Sequence, residues 1–139
     1  MNTPESEIGR LVDQAVGAMH TAMGAHLRAA GLSPLEWAVL RHVYRAGHRG
    51  GRARAADIVS HVEISHEQVR SLLVALKTRG LVRLDDSGGA RLTTDAERIM
   101  PALVSEADEI ISRATAGFTG DEKQALVGLL RRYVENLAS

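Results

Sequence analysis

Ten positions in the middle of the chain have side chains that could read or grip a polyanion. Ser65, His66, Gln68, Arg70 and Ser71 fall on one side of an apolar stripe formed by Val69, Leu72 and Leu73, so helical periodicity turns them outward. Gln68 has the amide geometry that matches adenine, Arg70 matches guanine or a phosphate, and the two serine hydroxyls match phosphate oxygens. Just upstream, Arg49, Arg52 and Arg54 lie in a glycine-containing stretch, His48-Arg49-Gly50-Gly51-Arg52, which reads as a basic loop able to neutralise phosphates. Arg83 and Arg91 flank an Asp-Asp-Ser-Gly-Gly turn and belong to the same candidate set.

Other chemistries lack their residues. The chain has no cysteine, which excludes disulfides, thiolate metal sites and thiol redox chemistry. Of the six histidines, His20 and His26 are six residues apart, not the three or four that share a helix face. His61 and His66 span a turn and read as surface or DNA-facing. No histidine neighbours a nucleophile and no phosphate-binding glycine loop is present, so no enzyme activity, metal or cofactor is expected.

Charge sorts the chain in the same way. Seventeen basic and seventeen acidic residues cancel overall, yet residues 41–91 hold ten basic against five acidic, leaving twelve acids and seven bases in the flanks. A basic centre between acidic flanks fits a polyanion at the centre. No apolar run approaches the roughly 20 residues of a membrane span. The polar, acidic start Met1-Asn2-Thr3-Pro4-Glu5 has no signal-peptide pattern, so a cytoplasmic protein is expected.

The elements that would position these side chains are mainly helical. Thr3-Pro4-Glu5 starts a helix of about 20–25 residues that Gly31 stops. Ser33-Pro34-Leu35-Glu36 is a capping box opening a second, with Trp37, Val39, Leu40 and Val43 buried and Gly47 at its end. A short strand is expected after the basic loop. A short helix over 55–62 follows, with Ala56, Ile58 and Val59 inward. A turn at Glu63-Ile64 leads to the helix capped by Ser65 and closed by Gly80. Residues 81–84 and 90–93 read as a hairpin around Asp85-Asp86-Ser87-Gly88-Gly89. Thr94-Asp95-Ala96-Glu97 reads as a capping box for a helix reaching about Phe118, with Pro101 inside it. Thr119-Gly120-Asp121-Glu122 caps a last one. Helix, turn, helix and hairpin are the outline of a winged helix, whose second helix enters the major groove by its N-terminal end. The outer helices carry apolar stripes without a fourth partner in the chain, and a symmetric second copy is the commonest cover.

Several segments together resemble MarR-type transcriptional regulators. The run from Ile64-Ser65-His66 through Arg79-Gly80-Leu81-Val82 is similar to that family's recognition helix and first wing strand. Ala56-Asp57-Ile58-Val59-Ser60-His61 resembles the preceding helix, and Leu32-Ser33-Pro34-Leu35-Glu36-Trp37-Ala38-Val39-Leu40 resembles its Leu-Thr-x-x-Gln-Phe-x-Val-Leu segment. Leu92-Thr93 and Phe118-Thr119-Gly120-Asp121-Glu122 are similar at the last two helix starts, so the resemblance runs in order along nearly the whole chain.

The resemblance implies a mainly α fold in three regions: an N-terminal dimerisation helix (1–31), a winged helix-turn-helix with a short β-hairpin wing (32–93) and C-terminal dimerisation helices (94–139). It implies a homodimer that binds double-stranded DNA at a pseudo-palindromic operator, usually as a repressor released by a small aromatic effector. Met19, His20, Met23, Leu27 and Trp37 would wall the effector site, although core filling is the preferred reading of Trp37. Three departures stand out. The wing is short, with Arg91 and nearby Arg83 but two acids. Glu67 faces DNA unfavourably unless it accepts from a cytosine amine. Ala75 stands where the family often has an arginine, so an internal ion pair is expected to be absent. These keep open a reading of another class, a winged-helix dimer that meets a protein instead of DNA.

Overall fold

The computed structural model describes residues 3–61 and 64–138, and the side chains of all of these except Ser60 and His61. The chain forms two compact units, residues 1–107 and 108–139. These units divide inside a helix.

The first unit opens with α1 (Pro4–Ala30), a helix of 27 residues, longer than expected. Thr3 caps it: its hydroxyl accepts from the Ser6 amide while Ser6 Oγ accepts from the Thr3 amide. Gly31 ends it at φ 71°, a conformation that costs glycine little. A Cβ at Gly31 would also lie 3.1 Å from a guanidinium nitrogen of Arg79. The C-terminal half of α1 sends Met23 and Leu27 into the core, while Ile8, Leu11 and Val16 stay exposed. His26 of α1 lies 3.3 Å from Glu106.

α2 (Pro34–His48) starts at the expected capping box and buries Trp37, Val39, Leu40 and Val43, with Ala46 added. It runs one residue past Gly47, and Arg49 is its C-cap. β1 (Ala53–Arg54), α3 (Ala55–His61) and α4 (His66–Thr78) follow, and then β2 (Val82–Leu84) and β3 (Gly89–Leu92). Val62 and Glu63, where the short helix was expected to end and the turn to begin, lie outside the described residues. The hairpin acquires a third strand: the antiparallel order is β1-β3-β2, with Ala53 opposite Ala90 and Arg83 opposite Arg91. Val39, Leu40, Ile58, Val69, Leu76 and Met100 are completely covered and mark the centre of the core.

Two expectations are corrected here. Ala56 is exposed, and among the described side chains of that helix Ile58 is the buried one. The cap of α5 (Thr94–Ala114) is Thr93, not Thr94. The Thr93 hydroxyl accepts from the Ala96 amide at 3.2 Å and donates to the Gly80 carbonyl at 2.7 Å, while its own amide donates to Leu81. The end of the strand pair thus selects which of two adjacent threonines caps the helix.

In the second unit α5 ends at Ala114, short of Phe118. The Thr115 hydroxyl donates back to the Ile111 carbonyl, Phe118 N–H donates to Thr115, and Gly117 turns the chain at φ 85°. α6 (Gly120–Ala138) begins with the expected capping box: Glu122 accepts from Thr119 N–H at 2.8 Å and Thr119 Oγ1 accepts from Glu122 N–H at 3.1 Å. No residue of α6 is buried. Leu126, Leu129, Leu130, Tyr133, Val134 and Leu137 recur at helical spacing and remain 38–76 % exposed.

Candidate nucleic-acid interface

The exposed element is the N-terminal half of α4. Its inner stripe, Val69, Leu73 and Leu76, is buried, which fixes the rotation of the helix and leaves Ser65, His66, Glu67, Gln68, Arg70 and Ser71 exposed. Two clefts border that half. One, of about 640 Å3, runs between α4 and the wing turn. Arg54, His66 and Arg70 line it together with Asp85, Asp86 and Ser87, over a floor that includes Ala55, Ala56, Leu73 and Val74. The other, of about 340 Å3, separates α4 from the start of α2 and holds Leu35, Ser65, Glu67, Gln68 and Ser71. Neither Arg54 nor Arg70 is ion-paired among the described residues.

Two of the five side chains on α4 have partners already. Ser65 Oγ accepts from the Gln68 amide at 3.1 Å, and Gln68 Oε1 accepts from the Ser65 amide at 3.0 Å. This is a reciprocal capping box, and the Ser-x-x-Gln spacing carried that signal in the sequence. The Gln68 Nε2 donor and the Ser65 hydroxyl proton remain available. A two-point contact with adenine would need Oε1 too, and would therefore open the cap.

The arginines expected to act together separate into three settings. Arg49 caps α2 and lines a small cleft of about 280 Å3 with His42, Arg52 and Asp57. Arg52 is bound to Asp85 of the wing turn. Arg83 and Arg91 stand side by side on β2 and β3 and line a fourth cleft, of about 500 Å3, with residues of α2 and α5. The structure therefore does not bring Arg83 and Arg91 to the cleft that holds Arg70.

Asp85 is a site residue that composition could not reveal. Its carboxylate accepts from the Ser87 hydroxyl at 2.7 Å, the Ser87 amide at 3.0 Å, the Gly89 amide at 2.8 Å and the Arg52 guanidinium. These donors, Ser87 foremost and then Gly89 and Arg52, hold its carboxyl far below the usual carboxylate range. An acid that looked adverse to DNA is thus the hub of the wing turn. Gly89 is required for space: a Cβ there would lie 2.8 Å from Asp85 Oδ2 and 3.1 Å from Arg52 Cδ.

Behind the interface, Glu36 Oε2 accepts from Arg79 at 3.1 Å and ties the start of α2 to the end of α4. Ala75 itself makes no ion pair; Arg79, one turn further along, supplies one. In the expected effector set, Met23, Leu27 and Trp37 are buried, Met19 is half-buried and His20 is exposed. The Arg41 guanidinium lies 5.6 Å from the Trp37 ring centre, and burial, with nearby Arg45, lowers the Arg41 pKa.

Residues 30–92, the segment that builds α2, the helix-turn-helix and the wing, match the MarR family profile. The chain has the MarR-type winged-helix fold. No curated protein matches it in sequence. Solved MarR-like structures share the fold over nearly the whole chain. The transcriptional regulator PA3341 is 24 % identical over 94 % of this chain and 98 % of its own, with a TM-score of 0.81. A MarR-family transcriptional regulator from Silicibacter pomeroyi is 20 % identical over 95 % and 90 %, with a TM-score of 0.81. Bordetella bronchiseptica BpsR, whose DNA binding is regulated by 6-hydroxynicotinic acid, is 22 % identical over 96 % and 98 %, with a TM-score of 0.72. Among the described residues, no helix is long and apolar enough to cross a membrane.

Proposed function

We propose that this protein is a sequence-specific DNA-binding transcriptional regulator that acts in the cytoplasm as a homodimer on a pseudo-palindromic operator. The observation that carries the reading is the exposed N-terminal half of α4, with Arg70 unpaired among the described residues, bordered on both sides by clefts in a MarR-type winged helix. In this reading Arg70 contacts guanine or phosphate, the Ser65 and Ser71 hydroxyls and His66 donate to the backbone, and Gln68 uses its free Nε2 donor. Arg54 and Arg49 anchor phosphates. Arg52 acts indirectly, by holding the wing through Asp85; Arg83 and Arg91 are left out of the contacting set.

The unburied apolar stripes of α1 and α6 support the dimer. Repression relieved by a small aromatic ligand is the regulatory mode we assign, and BpsR, with its 6-hydroxynicotinic acid, is a precedent within the same fold. Met19, His20, Met23, Leu27 and Trp37 are the proposed ligand wall. Because three of these five are buried, a ligand reaches them only by displacing side chains. Selection of bound duplexes from a random pool tests the proposal. Enrichment of a two-fold-related site is expected. A pool with no such site at low salt transfers the chain to the protein-interaction reading.

A further inference from the structure

Glu67 is the one acid of α4, and the contacts assigned so far leave it unused. Turning by about 100° per residue, the helix places Glu67 about 150° from the centre of its buried stripe, Val69, Leu73 and Leu76, and so close to its outermost line. Arg70 and Gln68 lie only about 90–110° from that centre, one on each flank. The clefts follow the same division: Arg70 lines the one toward the wing turn and Gln68 the one toward α2. A helix seated in a major groove turns its outermost line to the base edges and its flanks to the walls, where the phosphates run.

The Glu67 side chain is exposed, and its carboxylate has neither a hydrogen bond nor an ion pair among the described residues. At the starts of α2 and α6, Glu36 and Glu122 close capping boxes, but in α4 Gln68 holds that place and accepts from Ser65 N–H. The cap therefore does not need Glu67. The cleft it lines contains no lysine or arginine among the described residues. An acid in the first turn favours the helix dipole, and any first-turn position would serve that purpose. The dipole does not account for a carboxylate on the line that meets a duplex, where phosphates repel it.

A carboxylate only accepts hydrogen bonds. Major-groove edges offer it two donors, the amines of cytosine and adenine, whereas guanine and thymine present acceptors alone. The adenine amine stands between two acceptors, its own N7 and O4 of the paired thymine. The cytosine amine has one such neighbour, guanine O6, and a C–H on its other side, so a carboxylate meets less repulsion there. We propose that Glu67 selects cytosine at one position of each half-site by accepting from its amine. The proposal rests on the DNA-binding reading above and adds base selection to it. The same charge opposes phosphates everywhere, so it weakens binding to unrelated sequence and sharpens discrimination.

Fluorescence anisotropy on the full chain, wild type and Glu67→Gln, tests this with three kinds of duplex: the one selected from a random pool, copies in which one cytosine of a half-site at a time becomes thymine with its partner changed to match, and an unrelated sequence. Wild type is expected to lose roughly tenfold or more in affinity at one such position. In Glu67→Gln that loss should shrink to a few-fold at most, the losses at other positions should stay, and the unrelated duplex should bind more tightly. Selection repeated with Glu67→Gln should move the preferred base at that position from cytosine toward adenine, which glutamine suits. Glutamine keeps the size of an exposed side chain, and binding of the selected duplex by the variant reports that it is folded. Base preferences unchanged in Glu67→Gln overturn the proposal, even if every duplex binds more tightly by a common factor, because Glu67 would then act as a charge alone. That outcome leaves the DNA-binding reading standing, whereas a pool without any two-fold-related site removes both.

Discussion

Glu36 offers a perturbation whose parts can be separated. Its Oε1 closes the α2 capping box by accepting from Ser33 N–H at 2.9 Å, while its Oε2 accepts from Arg79 at 3.1 Å and so fastens the far end of α4. Glu36→Gln keeps an acceptor for Ser33, because glutamine also serves a capping box, but removes the charge facing Arg79. The Glu36 side chain is 16 % exposed and that of Arg79 37 % exposed, so solvent screening holds the pair to about 0.5–1 kcal/mol. Glu36→Ala removes the reciprocal cap as well, for a total of roughly 1–2 kcal/mol. Urea unfolding at fixed protein concentration, with Arg79→Ala and the Glu36→Gln/Arg79→Ala double variant, reads these terms. The cycle should return a coupling of about 0.5–1 kcal/mol that shrinks with added salt. A coupling of zero, or equal losses for Glu36→Gln and Glu36→Ala, would refute the argument that one carboxylate serves both helices.

Gly89→Ala should lower Tm and speed amide exchange at Ser87 and Gly89, because the added Cβ would push apart the Asp85–Arg52 contact; unchanged exchange would contradict the packing argument. Asp85 also predicts a pH dependence. Its folded carboxyl titrates below the unfolded value of about 4, so it stabilises the fold above that pH and ceases to do so as pH falls through the folded value. The stability gap between wild type and Asp85→Asn, followed by denaturant titration, should narrow on acidification, whereas a widening gap would reverse the sign. Leu130→Glu places a charge in the open stripe of α6. Sedimentation should show the dimer dissociation constant rising by about a hundredfold or more, since a symmetric interface counts the loss twice, and an unchanged constant would remove α6 from the interface.

Much of the scaffold was legible because its punctuation is local. Thr3, Ser33, Ser65 and Thr119 each precede an apolar-periodic run, and each caps the helix expected of it. Helix α4 and its buried Val69, Leu73 and Leu76 follow from the same periodicity. Errors arose where a distant partner decides. Thr93 wins the α5 cap over Thr94 through Gly80 and Leu81, which the strand pair delivers. Asp85 looked like an adverse charge, and Arg52 like a free phosphate anchor, until the β1–β3 pairing brought together residues 33 apart in sequence. Gln68 is the exception: its role in the cap was local, but its fitness for adenine hid it. Arg83 and Arg91 enter the candidate set as the arginines of the short wing, and a position in the wing does not say which cleft a side chain lines.

The most direct test of the central claim, that the outward side of α4 reads DNA, is fluorescence anisotropy on the selected duplex with wild type and Arg70→Ala. Arg70 is exposed and has no ion pair among the described residues, so its loss should leave fold and dimer intact while weakening binding by about 1–3 kcal/mol and lowering the salt slope if the contact is to phosphate. An Arg70→Ala protein that binds the selected duplex as tightly as wild type would contradict it.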